Sequence, residues 1–545
     1  MMMMMMMMIE YLLVSLCLAP LAAAATTPYT RGATNDATLP ECGLNCCPEC
    51  DRIQHLPGYD APLPSPWYSG YLTYELGNHT IHTHYVLVMA ERMHGEDEEA
   101  AAQKPLIYWS NGGPGASSLF GLLTEVGPLW LNEESFDKNK HSSLPKPIYN
   151  PYGWTRLGHV VMIDQPAPVG FSYCEGDEKC SDISWTDELA AENSYHAMEA
   201  FYQKFPHLLE TDLYLTGESY AGIYIPTLAR EILKNADDYQ TKSPGNVTMP
   251  LKGFAVGDGC LGTETGICGE VMAGDTAIPY WQILFLAGHA QFPLSTLQQF
   301  FRMCKPLERK TMHDPVDERC RAVVDHIYKE VGGFYAYSLY DECTYDDAFG
   351  AAAPSSGGDG LVGGGLNDYP CGTDRALQAW LKDPAVQKAL HVRSEYFAVD
   401  NAVGFDYTPT EKDLTGFYKQ VNGKLKVLVY NGDTDPSITS WAAQNWTSHL
   451  GLDESESWRP WTVDACRRMG GYITRYEGGF DFLTIRGAGH MVPTYKTAGT
   501  FTFLKSWLTG ADYPPYVANC TLPPASVTDF HNDLADGVQT TARVD

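Results

Sequence analysis

Ser219 stands in Thr216-Gly217-Glu218-Ser219-Tyr220-Ala221-Gly222, between a short apolar run, Leu213-Tyr214-Leu215, and a helix-like stretch from Ile223 to Leu233. Small residues around a serine at a strand-to-helix turn leave its hydroxyl clear of the backbone, which is how an elbow presents a nucleophile. That hydroxyl needs a base to take its proton, and the base needs an acid to orient it. Both follow in the chain. The mainly apolar run Val427-Leu428-Val429-Tyr430 ends in Asn431-Gly432-Asp433-Thr434-Asp435. A second, Phe482-Leu483-Thr484-Ile485, ends in Arg486-Gly487-Ala488-Gly489-His490-Met491. Ser219, Asp435 and His490 are therefore the candidate catalytic set, with Asp433 as a rival acid. The other reading of His490 is a loop histidine capping a carbonyl.

Positioning three such residues at the ends of separate strands requires a sheet whose strands run the same way. The order Ser, Asp, His is that of α/β-hydrolases, not of the chymotrypsin or subtilisin arrangements. Alternating strand and helix patterns predict a doubly wound, mainly parallel central sheet. Leu106 to Trp109, Val160 to Ile163, Leu213 to Leu215 and Phe254 to Val256 are its expected central strands. A helix from Asp187 to Phe205 carries Met198, Phe201, Tyr202 and Phe205 on one face, as core. After Gly259 the alternation weakens. Helix-like patterns, cysteines and the low-complexity stretch Gly350 to Gly365 predict an inserted cap with a lid-like loop. The expected organisation is 1–25 leader, 26–50 Cys-rich segment, 51–260 first part of the core, 261–370 cap, 371–510 second part of the core and 511–545 tail.

Composition narrows the partners. The chain has 545 residues, a net charge of −30 and a sequence pI of about 4.8, which opposes binding to nucleic acid. The apolar run from Leu12 to Ala25 is too short to span a bilayer comfortably, and Ala23-Ala24-Ala25 supplies the small residues of a signal-peptide cleavage site. The basic start usual in such leaders is missing behind eight methionines. Beyond Cys17 there remain fourteen cysteines, with glycosylation sequons at Asn78, Asn246, Asn445 and Asn519, a combination expected of an oxidising, secretory route. Cys42, Cys46, Cys47 and Cys50 read as disulfide partners rather than as a zinc knuckle.

Several ordered blocks resemble the serine carboxypeptidases, from about Asp51 to Leu508. They include Trp109-Ser110-Asn111-Gly112-Gly113-Pro114-Gly115, Asn150-Pro151 with Trp154, Asp164-Gln165-Pro166 with Gly170-Phe171-Ser172-Tyr173, and the elbow. Val386 to His391, Gly432 to Asp435 and Gly487 to Pro493 complete the series. The resemblance implies peptide hydrolysis from a free C-terminus, with peptide or protein C-termini as partners, no cofactor and no metal, in an extracellular, vacuolar or lysosomal setting at acidic pH. A homodimer is compatible with it. It favours Asp435 as the acid and leaves Asp433 to cap the turn. Gly113 and Tyr220 would supply the oxyanion N–H donors. Asn111, Gly112 and Glu218 would bind the substrate carboxylate, supported by Glu125 and Trp109. Such a site works only if a glutamate carries a proton. Other relatives transfer acyl groups from sugar esters with the same triad, and a purely binding role on this fold is a third reading; the intact carboxylate site favours the peptidase. Departures from the family are Ala116 where a cysteine is usual, together with the absence of that cysteine's partner, and Asp258, Ile438 and Thr497 in place of asparagine, cysteine and proline.

Overall fold

The structure, a computed structural model, describes residues 48–136, 144–237, 247–268, 280–304, 317–341, 371–399 and 402–520. The leader, Cys42 to Cys47, Asn246, the Gly350 to Gly365 stretch and the end of the tail lie outside these residues. No helix among the described residues is long and apolar enough to cross a membrane.

Twelve strands form the main sheet. In chain order the main ones are β1 (Arg52–Ile53), β2 (Trp67–Leu76), β3 (His79–Val88), β4 (Leu106–Ser110), β5 (His159–Ile163), β6 (Leu213–Glu218), β7 (Leu251–Gly257), β8 (Lys426–Gly432), β9 (Glu454–Thr462), β10 (Met469–Tyr476) and β11 (Phe480–Ile485). Their order across the sheet is β1-β2-β3-β5-β4-β6-β7-β8-β11-β10-β9, and a short strand at Tyr173–Cys174 pairs with β3. From β5 to β11 every pairing is parallel, and the ribbons on both flanks are antiparallel. This is the α/β-hydrolase fold the residue order implied.

Parallel strands buried on both faces must be apolar throughout, and these are. In β4, Leu106 and Tyr108 enter one core while Ile107 and Trp109 enter the other; in β8, Val427 and Val429 divide from Leu428 and Tyr430 in the same way. On the first face lie α1 (Asp187–Lys204), with Met198, Phe201 and Tyr202, and α2 (Ala221–Asp237). Thr186 caps α1, its hydroxyl accepting the Leu189 N–H. The second face is covered by helices that include Thr497–Thr509, through Phe503, Leu504 and Trp507.

Two antiparallel hairpins were absent from the expected elements. The β2–β3 hairpin turns at Gly77-Asn78, with Gly77 at φ 60°, a two-residue signal that the sequence does carry. The β9–β10 hairpin starts from an exposed, polar Glu454 to Ser457 run, which has no buried face to betray it.

Helices Tyr280–Gly288, Leu294–Met303 and Glu318–Val331 pack around a third cluster of their own, built from Ile283, Phe285, Phe300 and Ile327 and tied by Cys304–Cys320. Further disulfides join Cys174–Cys180, Cys260–Cys268 and Cys466–Cys520. Cys50 and Cys371 are also disulfide-bonded, so Cys50 has no thiolate to offer a metal. Asn78, Asn445 and Asn519 are exposed.

Candidate active site

Parallel register lines up the strand ends. Gly217 lies beside Ser110, Glu218 beside Gly257, Gly257 beside Tyr430 and Gly432 beside Ile485. The residue or loop that follows each strand therefore opens at one edge of the sheet. Asn111, Ser219, Asp258, Asp435 and His490 all come from that edge, where ligands bind in open α/β sheets.

Ser219 holds a left-handed backbone, φ 63°, rare for a residue with a side chain. Its carbonyl accepts the N–H groups of Gly222 and Cys260, and its own N–H donates to Gly257. These bonds and the start of α2 fix the strained turn. Tyr220 is anchored behind it. Its hydroxyl donates to the Asp187 carboxylate at 2.7 Å, as does Tyr407 at 2.6 Å, while Thr410 and Glu411 N–H groups fill the other oxygen.

His490 Nδ1 donates to Asp435 Oδ2 at 2.7 Å; Asp435 is fully buried and His490 is 4% exposed. Asp435 Oδ1 accepts the Ser437 N–H. Asp433 points elsewhere and accepts the Gly487 N–H at 2.6 Å. The imidazole Nε2 has no hydrogen-bond partner among the described residues, and His490 lines a cavity of about 460 Å³ together with Ser219, Gly112, Gly113 and Asn111. At the same cavity the backbone amides of Gly113 and Tyr220 make no hydrogen bond among the described residues. A Cβ at Gly112 would stand 2.3 Å from the Tyr220 nitrogen, so only glycine lets the two amide-bearing loops meet.

Asn111 organises the far end. Its Oδ1 accepts Trp109 Nε1 at 2.8 Å and the Gly121 N–H at 3.0 Å, and this fixes which way the amide faces. Its Nδ2 then donates to Glu125 Oε1 at 3.2 Å and Glu218 Oε1 at 3.0 Å. Each Oε2 is buried and finds no donor from another residue among those described, and the two carboxyls lie within hydrogen-bonding reach of one another. Burial raises both carboxyls, Glu125 to about 7, and Glu125 beside it raises Glu218 further. The pair therefore holds a proton under conditions where a solvated glutamate has lost it.

A second acidic contact lies behind the histidine. The fully buried Asp258 accepts the Gly432 N–H with both oxygens at 3.1 Å, and Asn431 Nδ2 at 3.2 Å. It stands with Asp435 and His490 in a group whose ligand-type atoms lie within 4.8 Å of one another. Burial first, and then the Asp435 charge, push Asp258 well above the ordinary carboxyl range.

Sequence reasoning missed the roof. Tyr337 stacks on the His490 ring, centroids 4.7 Å apart, and its carbonyl accepts the His490 N–H at 2.7 Å. Tyr335, Asp341, Tyr396 and Val399 line the same cavity. The aromatic run Phe334 to Tyr337 after Gly332-Gly333 was the available signal.

A family model described as serine carboxypeptidase matches residues 57–510. Serine carboxypeptidase 1 of Hordeum vulgare is 29% identical over 509 residues, which cover 85% of this chain and 93% of that one. Lysosomal protective protein of Mus musculus is 30% identical over 503 residues, 86% of this chain and 95% of that one. Among solved structures, a prohormone-processing carboxypeptidase from Saccharomyces cerevisiae aligns with a TM-score of 0.63 at 20% identity, over 85% of this chain and 96% of that one, a likeness of fold. With the matched region spanning every strand of the main sheet but β1 and both ends of the site, the chain belongs to the serine carboxypeptidase family and is a serine-type carboxypeptidase.

Proposed function

We propose that this carboxypeptidase acts in the secretory pathway, outside the cell or in a vacuole or lysosome, and releases C-terminal residues at acidic pH through Ser219, His490 and Asp435. The observation that carries the reading is Asn111 holding Glu125 and Glu218 together, two buried carboxyls within hydrogen-bonding reach of one another whose Oε2 atoms find no other donor among the described residues. An acid pair rich in proton affinity suits a ligand that brings a carboxylate of its own. Exposed sequons and disulfides support the secretory route.

Ser219 Oγ attacks the carbonyl of the last peptide bond while His490 Nε2 takes its proton. Asp435 orients the ring and stabilises the imidazolium. The Gly113 and Tyr220 amides receive the developing oxyanion. His490 returns the proton to the leaving amine, and water then releases the acyl group by the same relay. The substrate carboxylate accepts a proton-bearing contact from the glutamate pair and an N–H from the glycine loop.

The test is release of free amino acids from N-blocked dipeptides between pH 4 and 8, with amidated controls, for wild type and Ser219→Ala. Acid-favoured release from free-acid peptides only, abolished by the substitution, is expected. Equal cleavage of amidated peptides would remove the carboxylate-site reading. No release by folded protein would remove the peptidase mechanism.

A further inference from the structure

A second cavity, about 760 Å³, adjoins the active-site cavity and shares Thr373, Thr494 and Tyr495 with it as a wall. Four of its lining residues, Arg467, Arg468, Arg486 and Lys496, are cationic and none is acidic. The chain holds 37 Lys and Arg against 67 Asp and Glu. At that composition, 21 lining residues would bring about one or two cations and two or three acids. The sign of the charge is thus reversed here, inside a strongly negative protein.

The cationic residues are carried by separate elements, with Arg467, Arg468 and Arg486 exposed at the rim. Arg467 and Arg468 ride the β9–β10 turn, where Asp464 accepts the N–H groups of Cys466 and Arg468 at 2.9 and 3.0 Å. Cys466 is bonded to Cys520, and its carbonyl accepts the Val517 N–H at 2.7 Å. Arg486 leaves the end of the neighbouring strand β11, its N–H donating to the Gly470 carbonyl at 2.8 Å. Among the described residues the guanidinium groups of Arg467, Arg468 and Arg486 make no hydrogen bond or ion pair. The acid near Arg486 and Lys496 is Asp433, which is mostly buried and spends an oxygen on the Gly487 N–H.

Guanidinium groups bring planar forks that match phosphate and sulfate oxygens. Three of them around one space exceed what a single carboxylate can satisfy. The volume is that of a site for a small organic molecule rather than for a bare ion. Half-buried Trp130 and Tyr152 in the lining offer ring faces for its body. We propose that this cavity is a second binding site, separate from the peptide site, for a phosphate or sulfate ester carried on a ring.

Calorimetric titration of the wild-type protein with phenyl phosphate and with inorganic phosphate, at fixed ionic strength and pH 6.5, tests it. Saturable one-to-one binding is expected, tighter for phenyl phosphate. It should weaken at least tenfold in Arg467→Gln/Arg468→Gln and again in Arg486→Gln, which sits on a different element. An exposed pair elsewhere, Lys382→Gln/Lys388→Gln, should leave it unchanged, as should Asn111→Ala, which disables the carboxylate end of the peptide site. Retained melting temperature in the arginine variants separates lost binding from lost folding. Unsaturable binding, equal loss in the lysine pair, no loss in the arginine variants, or loss in Asn111→Ala would each overturn the site. Equal affinity for the two phosphates would overturn the ring-borne ester.

Discussion

Glu125 and Glu218 on one side of Ser219, and Asp258 and Asp435 on the other, are both buried carboxyls in contact, yet they are finished differently. In the first pair a single amide, Asn111, serves one oxygen of each glutamate, and the other finds no donor from another residue among those described. In the second, Gly432, Asn431, Ser437 and His490 all donate to the two aspartates. Two ionised carboxylates packed together in a buried site cost several kcal/mol, so both pairs favour holding a proton. The difference lies in what completes them. Glu218 lines the cavity, where the proposed reading has a ligand complete the pair; the aspartates are completed by the protein and hold a histidine.

Breaking each pair should therefore fail in a different kinetic constant. Asp435→Asn should lower kcat about 10⁴-fold with little change in KM, measured by steady-state hydrolysis of a blocked dipeptide. Asn111→Ala removes two amide donors at charged or proton-sharing oxygens, each worth roughly 1.5–3 kcal/mol. It should cost about 10²-fold in kcat/KM, mostly in KM, and erase the preference for free-acid over amidated peptides. A kcat loss at unchanged KM would contradict the ligand-facing role of that pair.

The pH dependence sharpens the contrast. With Glu125 raised to about 7 and Glu218 beside it raised further, KM for a free-acid peptide should stay flat in acid and begin to climb only above pH 7, by about tenfold per unit once the pair gives up its last proton. Glu125→Gln/Glu218→Gln should flatten the climb. Stability follows the same sign. The folded chain keeps protons on Glu125, Glu218 and Asp258 that the unfolded chain releases near pH 4, so stability falls as pH rises from there through their raised folded values. Asp258→Asn keeps a neutral donor beside Asp435. It should leave kcat at pH 5 within about threefold, and reduce the loss of melting temperature between pH 5 and 8. A tenfold fall in kcat at pH 5 would show that the charge of Asp258, not its proton, supports His490.

The parts legible in the sequence were those where local geometry dictates residue type. Ser219, Asp435 and His490 each follow an apolar strand and sit among glycines, so turn chemistry and periodicity pointed at them together. Asn111 and Glu218 adjoin such turns, although their role came from the family resemblance. Tyr337 and Asp341 were illegible because nothing local requires them; they reach the site only after three helices bring the chain back over the sheet, 80 and 84 residues beyond Gly257 at the end of β7. Asp258 was visible as an exchange of asparagine for aspartate. Its meaning was not, because it depends on how closely β7 and β8 bring it to Asp435.

The seat of Tyr337 on His490 also bears on the order in which the molecule is made and lost. The helices at 280–331 keep a hydrophobic cluster separate from the two cores of the sheet, and they meet the acid loop through Gln282, which donates to the Pro436 carbonyl. Ala336 accepts the Ser437 hydroxyl, and Leu339 donates to the Thr434 carbonyl. The sheet completes its own ladders without these contacts, whereas the loops bearing Asp435 and His490 do not reach their final shape without them. Competence should therefore be the first property surrendered. On warming, hydrolysis should cease while most of the strands are still folded, so that a lost reaction reports an undocked roof before it reports a melted protein.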